Sequence, residues 1–167
     1  MTEMNDSNKE ETFEKVFNYK FHNVELRTRA MTSKSWLNEN DSEKLKKYPA
    51  YTGLATLGDA VISLCIVHYY FSLDMKRGDI TIEKSEKVRR TKHTKIAHEI
   101  QLMNFMNLGK GEAKQEAWIN GSAPGEFLES VLGAIYLDEM SEGGNGIIVC
   151  SKVLKHLGQM EKINDYN

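Results

Sequence analysis

The feature that most constrains this chain is an apolar stretch from about Ala50 to Leu73 with helical spacing and a carboxylate in its middle. Leu54, Leu57, Val61, Leu64, Cys65 and His68 recur at intervals of three and four, the period of one helix face rather than of a strand. Gly58 and Asp59 fall in the middle of this helix. Glycine inside a helix costs up to about 1 kcal/mol relative to alanine, so Gly58 points to close approach of another backbone. The uninterrupted apolar part, Val61 to Phe71, is too short to cross a bilayer and contains His68, so no membrane partner is expected.

The remaining periodicity is also helical. Phe13, Val16 and Phe17 form a stripe that Tyr19 and Phe21 close. Asn23 is placed to cap a helix whose inner face carries Leu26, Ala30 and Met31. Residues 38–48 are polar and Lys-rich and end at Pro49, as a linker or short helix would. Ile82 to Phe105 reads as one long amphipathic segment with Val88, Ile96, Ile100 and Phe105 inward. Leu108 to Gly121 reads as a glycine-containing loop with one short turn at most. Ser122 is a candidate N-cap for a helix with Pro124 in its first turn. Gly143 to Gly146 is a turn, and Ile147 to Leu157 is the last helix. Pro49 and Pro124 are the only prolines, and no segment alternates as a strand would. The fold class expected is all-α, with a flexible segment at 1–11, one domain over 12–158 and a tail at 159–167.

Composition limits the function classes. Of the 167 residues, 40% are apolar and 28% charged, and the formal net charge is −2. A protein that coats RNA by charge alone would be basic. Cys65 and Cys150 match no zinc spacing, and free thiols suit a reducing cytoplasm. No apolar signal-peptide core is present near the N-terminus.

The chemistry rests on carboxylates that interrupt apolar helices. Asp59 sits in the most apolar helix, and Glu126 and Glu129 lie three residues apart on one face of another. A buried carboxylate is costly unless it is paired or binds a cation. If the two helices cross, the three carboxylates converge on a site suited to Mg²⁺ or Mn²⁺, and such sites hydrolyse phosphodiesters. The alternative is that Asp59 is a surface residue and the glutamates only favour a helix N-terminus. Lys84, Lys87, Arg89, Arg90, Lys92, His93 and Lys95 crowd another region. They form either a solvated face or a surface for RNA phosphates and 2′-hydroxyls.

Four segments carry a family resemblance. Leu54-Ala55-Thr56-Leu57-Gly58-Asp59-Ala60-Val61 resembles the signature helix of the ribonuclease III family. Ala30-Met31-Thr32-Ser33-Lys34-Ser35-Trp36-Leu37-Asn38-Glu39 resembles the segment before it, and Leu108-Gly109-Lys110-Gly111-Glu112 resembles the family's glycine loop. The segment from Glu126-Phe127-Leu128-Glu129-Ser130 to Ala134-Ile135-Tyr136-Leu137-Asp138 resembles its second carboxylate helix. The resemblance runs from about Phe13 to Leu157. It implies a homodimeric helical endonuclease domain acting on double-stranded RNA with Mg²⁺, or Mn²⁺, as cofactor. By resemblance, Asp59 and Glu129 are catalytic, and Asp59, Glu126 and Glu129 bind the metal. Lys87, Arg89, Arg90, Lys92 and Lys95 are expected to contact RNA, and Leu54, Leu57, Gly58 and Val61 to line the dimer seam. In the family each subunit cuts one strand with metal-activated water, leaving 3′ overhangs with 5′-phosphate and 3′-hydroxyl ends.

The departures matter. Ala55 stands where most members carry another metal-binding glutamate, Thr52 replaces a glutamate and Gly53 an arginine. Glu126 replaces the usual aspartate, and Ser33 stands where histidine is common. The compact Mini-ribonuclease III group has a similar alanine-rich helix and is nucleolytic. The other reading is a degenerate domain that binds RNA or a ribosome as a dimer. A third, a helical dimerisation protein without an RNA role, predicts that charge reversal at Arg89 and Arg90 changes nothing. Fewer than a dozen residues follow the last expected helix. The family's separate RNA-binding domain is therefore not expected, and plain duplex should bind weakly or through an accessory RNA-binding protein. Precursor ribosomal RNA is the family-level expectation for the substrate.

Overall fold

The structure, a computed structural model, describes residues 6–40, 43, 51–115 and 121–160. Its helices are α1 (Asp6–Phe17), α2 (Val24–Ala30), α3 (Lys34–Asn40), α4 (Tyr51–Ser72), α5 (Arg77–Lys87), α6 (Arg90–Glu99), α7 (Lys110–Lys114), α8 (Ala123–Ser141) and α9 (Gly146–His156), with a 3₁₀ turn at Leu102–Phe105. Among the described residues the only extended pairing is an isolated bridge between Thr32 and Asn107. The fold class is all-α, as the sequence implies.

Helix α8 is the centre. From Ala123 to Ile135 every residue except Glu126 is buried, the pattern of a helix surrounded by others. It packs most extensively on α4, then on α6, α9 and α2. The α4 contact depends on two glycines. A Cβ at Gly58 would collide with the carbonyl oxygen of Glu129, and one at Gly133 with the carbonyl oxygen of Leu54. The close approach expected at Gly58 is therefore real, and its partner is α8 of the same chain.

That location corrects the expected dimer seam. Leu54 is 3% and Val61 4% exposed, and Gly58 is buried, all within one chain. Of the four residues expected there, Leu57 alone is partly open. By length and mean hydropathy, 1.5 over its most apolar window, α4 could cross a membrane, unlike the shorter stretch noted above. Half of that window is buried in the fold, which is the behaviour of a core helix.

Several boundaries shift. Helix α1 begins at Asp6, inside the segment expected to be flexible, and Gln159 and Met160, expected in a tail, are each 2% exposed. The Gln159 amide donates to the Lys87 carbonyl at 2.9 Å. The expected Ile82–Phe105 helix breaks at Val88–Arg89 into α5 and α6. Asn23 caps α2 by accepting from the Leu26 N–H at 3.0 Å, whereas Ser122 makes no side-chain cap, leaving Pro124 to start α8. Most of the expected 38–48 linker, Pro49 included, lies outside the described residues.

The other end of α8 holds the N-terminal segment. Asp138 is fully buried. Its Oδ2 accepts from the Tyr19 hydroxyl at 2.7 Å and the His22 N–H at 2.8 Å, and its Oδ1 from the Asn23 N–H at 2.9 Å. Burial alone would raise this carboxyl, but the bonds from Tyr19, from the two backbone N–H groups and from the His22 ring hold it below the usual carboxylate value.

Three substitutions test this packing. Gly58→Ala should lose about 3 kcal/mol, because backbone faces the new methyl. Gly78→Ala on α5, with nothing within 4 Å of the added Cβ, should be neutral or gain up to about 1 kcal/mol. Urea denaturation separates the two. Asp138→Asn should cost about 3 kcal/mol at pH 7. A carboxyl whose folded pKa is depressed stabilises fully above its unfolded value of about 4 and loses that contribution as pH falls through the folded value. The gap between the parent and Asp138→Asn should therefore narrow below about pH 4.

Candidate functional site

One open cleft of about 480 Å³ is lined by Thr52, Ala55, Thr56 and Asp59 of α4, by Val88 and Arg90 around the α5–α6 break, and by Glu126 and Glu129 of α8. The three carboxylates singled out from the sequence therefore share one cavity, as helix crossing required. The glycine contact explains why. Asp59 follows Gly58, and the carbonyl that Gly58 meets belongs to Glu129. Gly125 does the same for α6, since a Cβ there would lie 2.8 Å from the Thr94 hydroxyl and 3.3 Å from the Arg90 carbonyl.

Each glutamate has a partner. Glu126 pairs with the Arg90 guanidinium at 3.4 Å and accepts a long hydrogen bond from the Tyr51 hydroxyl, also 3.4 Å. Burial, then the Glu126 charge and that bond, push the Tyr51 phenol up to about 12, so it remains a donor at neutral pH. Glu129 is 6% exposed, and its Oε1 lies 2.8 Å from Nδ1 of His93, which is fully buried. Asp59 is exposed.

This oxygen-rich donor set fits a hard divalent cation by type. The carboxylates are not drawn into a cluster, however. Among the described residues no three His, Cys, Asp or Glu side chains stand together as a ligand group. Ala55, buried in the cleft wall, adds no fourth oxygen.

The five basic residues expected to meet RNA divide. Arg90 lines the cleft. Arg89 pairs with Glu86 at 2.5 Å and Lys95 with Glu99 at 3.7 Å, both pairs on the exposed surface. Lys87 and Lys92 are half-buried. Exposed pairs of this kind contribute little to stability, so Arg89 and Lys95 can exchange their partners for another anion at small cost.

Two residues acquire roles that the sequence reading did not give them. His93 was grouped with the basic run, yet it lies three and four residues before Ile96 and Ala97, and that spacing places it on the buried face of α6. Ser33 is buried, and its hydroxyl donates to Glu112 at 2.5 Å. Glu112 also accepts from the Gly109 N–H at 3.1 Å, so the pair ties α3 to the glycine loop and does not line the cleft.

The sequence profile of the Ribonuclease-III-like family matches residues 23–164. Ribonuclease 3 of Ligilactobacillus salivarius is 34% identical over 132 residues, covering 78% of this chain and 56% of that protein. Ribonuclease 3 of Streptococcus gordonii is 33% identical, covering 90% and 65%. The chain thus spans little more than half the length of the first of these relatives. Two structures of the nuclease domain of the Campylobacter jejuni ribonuclease III superpose with TM-scores of 0.72 and 0.71 at 24% identity, over 98% and 90% of this chain and 100% and 99% of theirs. One of them describes flexibility in a region involved in dimer formation. With the profile matched across α2 to α9 and the same helical fold, this chain belongs to the ribonuclease-III-like family.

Proposed function

We propose that the chain is a metal-dependent endoribonuclease that hydrolyses double-stranded RNA. The observation that carries this reading is a cleft lined jointly by Asp59 of α4 and by Glu126 and Glu129 of α8, with Arg90 also in its wall. Asp59, Glu126 and Glu129 are the residues that would hold Mg²⁺ or Mn²⁺. When bound, such a cation supplies Lewis acidity toward water and phosphate. The chain's own residues do the rest. Arg90, 59% exposed, can leave Glu126 for a phosphate oxygen of the entering strand, which places the backbone and frees the carboxylate in one move. Val88 and Ala55 form an apolar part of the wall that limits water at the site. Arg89, Lys92 and Lys95 continue the positive surface away from the cleft, suited to phosphates along the duplex, and Lys87 borders it. Processing of precursor ribosomal RNA and a cytoplasmic location belong to the same reading. An accessory RNA-binding protein is the partner proposed to supply duplex affinity.

A homodimer is part of this proposal, on a different face from the one first expected. Leu57, Ala60, Leu64, Val67 and Phe71 recur at intervals of three and four along α4, the spacing of a helix seam. Leu64 is 52% and Phe71 73% exposed, and Ile148 of α9 is 50% exposed. A second copy docked here would cover this stripe and set two clefts on one duplex.

The missing carboxylate at Ala55 and the absence of a close three-ligand cluster among the described residues favour a second reading, in which the domain binds RNA without cutting it. Incubation of long duplex RNA with the protein and Mg²⁺ or Mn²⁺ at low salt distinguishes the two. The nuclease predicts cleavage that Glu129→Gln lowers at least about 100-fold, at or beyond the upper end for losses in the outer shell of a metal site. Binding without cleavage, with activity gained by Ala55→Glu, would establish the second reading. For the dimer, Leu64→Glu should convert the protein to a monomer in sedimentation equilibrium with its helix content unchanged. A monomeric parent would remove the dimer from the account.

A further inference from the structure

We propose that His93 is a positioning residue that fixes the carboxylate of Glu129, an inference that rests on the cleft being a cation site. Of the five histidines it alone is fully buried, although its neighbours in sequence are Lys92, Thr94 and Lys95. Its Nδ1 lies 2.8 Å from Oε1 of Glu129. An ionised carboxylate only accepts, so the ring takes the Nδ1–H tautomer and donates. Among the described residues Glu129 makes no other side-chain hydrogen bond, which leaves Oε2 as the oxygen available to the cleft that Glu129 lines.

The other ring nitrogen makes the choice of residue informative. His93 Nε2 is buried without a hydrogen-bond partner. A position that served only to fill space between α6 and α8 would be met by leucine, with no polar atom to desolvate. Histidine carries that cost here and returns one directed bond to Glu129. The backbone holds the pair together, because Gly125 of α8 lies against the Thr94 N–H and the Arg90 carbonyl of α6, and the Glu129–His93 contact sits one helical turn further along α8. A carboxylate gripped by one oxygen from behind is oriented before any cation arrives. In a cleft that lacks an acid at Ala55, fewer ligands remain and the orientation of each weighs more.

The test is Mn²⁺ binding followed by electron paramagnetic resonance, on the parent and on three variants, with melting curves to confirm folding. Asparagine can place its amide nitrogen near the position of Nδ1, and glutamine near that of Nε2. His93→Asn should bind Mn²⁺ within a few-fold of the parent, whereas His93→Leu and His93→Gln should bind about 10- to 100-fold more weakly. If His93→Leu does not fold, the Asn and Gln pair carries the comparison alone. Long-range ¹H–¹⁵N spectra of the metal-free protein should show a proton on Nδ1 of His93 whose signal moves in Glu129→Gln. Equal Mn²⁺ affinity in folded His93→Gln, or His93→Asn as weak as His93→Gln, would overturn the role. A proton on Nε2 in place of Nδ1 would overturn it without reference to metal. A parent that binds no Mn²⁺ would overturn the cation site and this role with it, and the tautomer signal would then show whether the hydrogen bond itself had survived.

Discussion

Gly58 on α4 and Gly133 on α8 let two helix backbones touch, each occupying the space where the other would otherwise meet a side chain. The rest of the site is arranged by that contact. It sets Asp59, the residue after Gly58, beside the helix that carries Glu126 and Glu129. Gly125 lets α6 approach closely as well, which sets Arg90 at the cavity and His93 behind Glu129. Helices α4, α6 and α8 converge on the cleft, with Val88 from the α5–α6 break completing its wall. Packing of this kind is intolerant of even one methyl group, because the opposing atoms are backbone and cannot rotate away.

Helix α8 carries two buried carboxylates that differ in use. Glu129 and Asp138 are nine residues apart, about two and a half turns, and so lie on opposite sides of the helix. Asp138 is surrounded by donors, three of them from the 19–23 segment at 2.9 Å or closer, and is wholly buried. It is spent on structure, pinning that segment to the core. Glu129 has one donor, His93, and borders an open cleft. A carboxylate with unused acceptor capacity beside solvent is available for chemistry in a way that a fully bonded one is not.

Much of the fold was legible because its helices have strong periods. The bounds expected for α4 and α9 each lie within a residue of those observed, and Gly58 was recognisable as a close-approach glycine from its cost alone. The three carboxylates were legible as charges interrupting apolar faces. What failed did so for physical reasons. Apolar periodicity continues through Val88, so nothing in the pattern announced the break between α5 and α6. Leu54 and Val61 share a helical spacing with Leu57 and Leu64, but α4 is apolar nearly all round, and spacing could not say which face meets the chain's own core. His93 was hidden by its charged neighbours, although its spacing to Ile96 and Ala97 placed it inward. Partners such as Arg90 for Glu126 depend on tertiary contact and have no local signal.

The most direct test of the central claim, that the glycine contact assembles a cation site from two helices, is anomalous diffraction from a crystal soaked in Mn²⁺. The account predicts a peak in the cleft within about 2.2 Å of carboxylate oxygens from both Asp59 and Glu129, close to the distances of hard divalent ions. A well-occupied peak bound elsewhere, or a cleft that stays empty at saturating Mn²⁺, would contradict it.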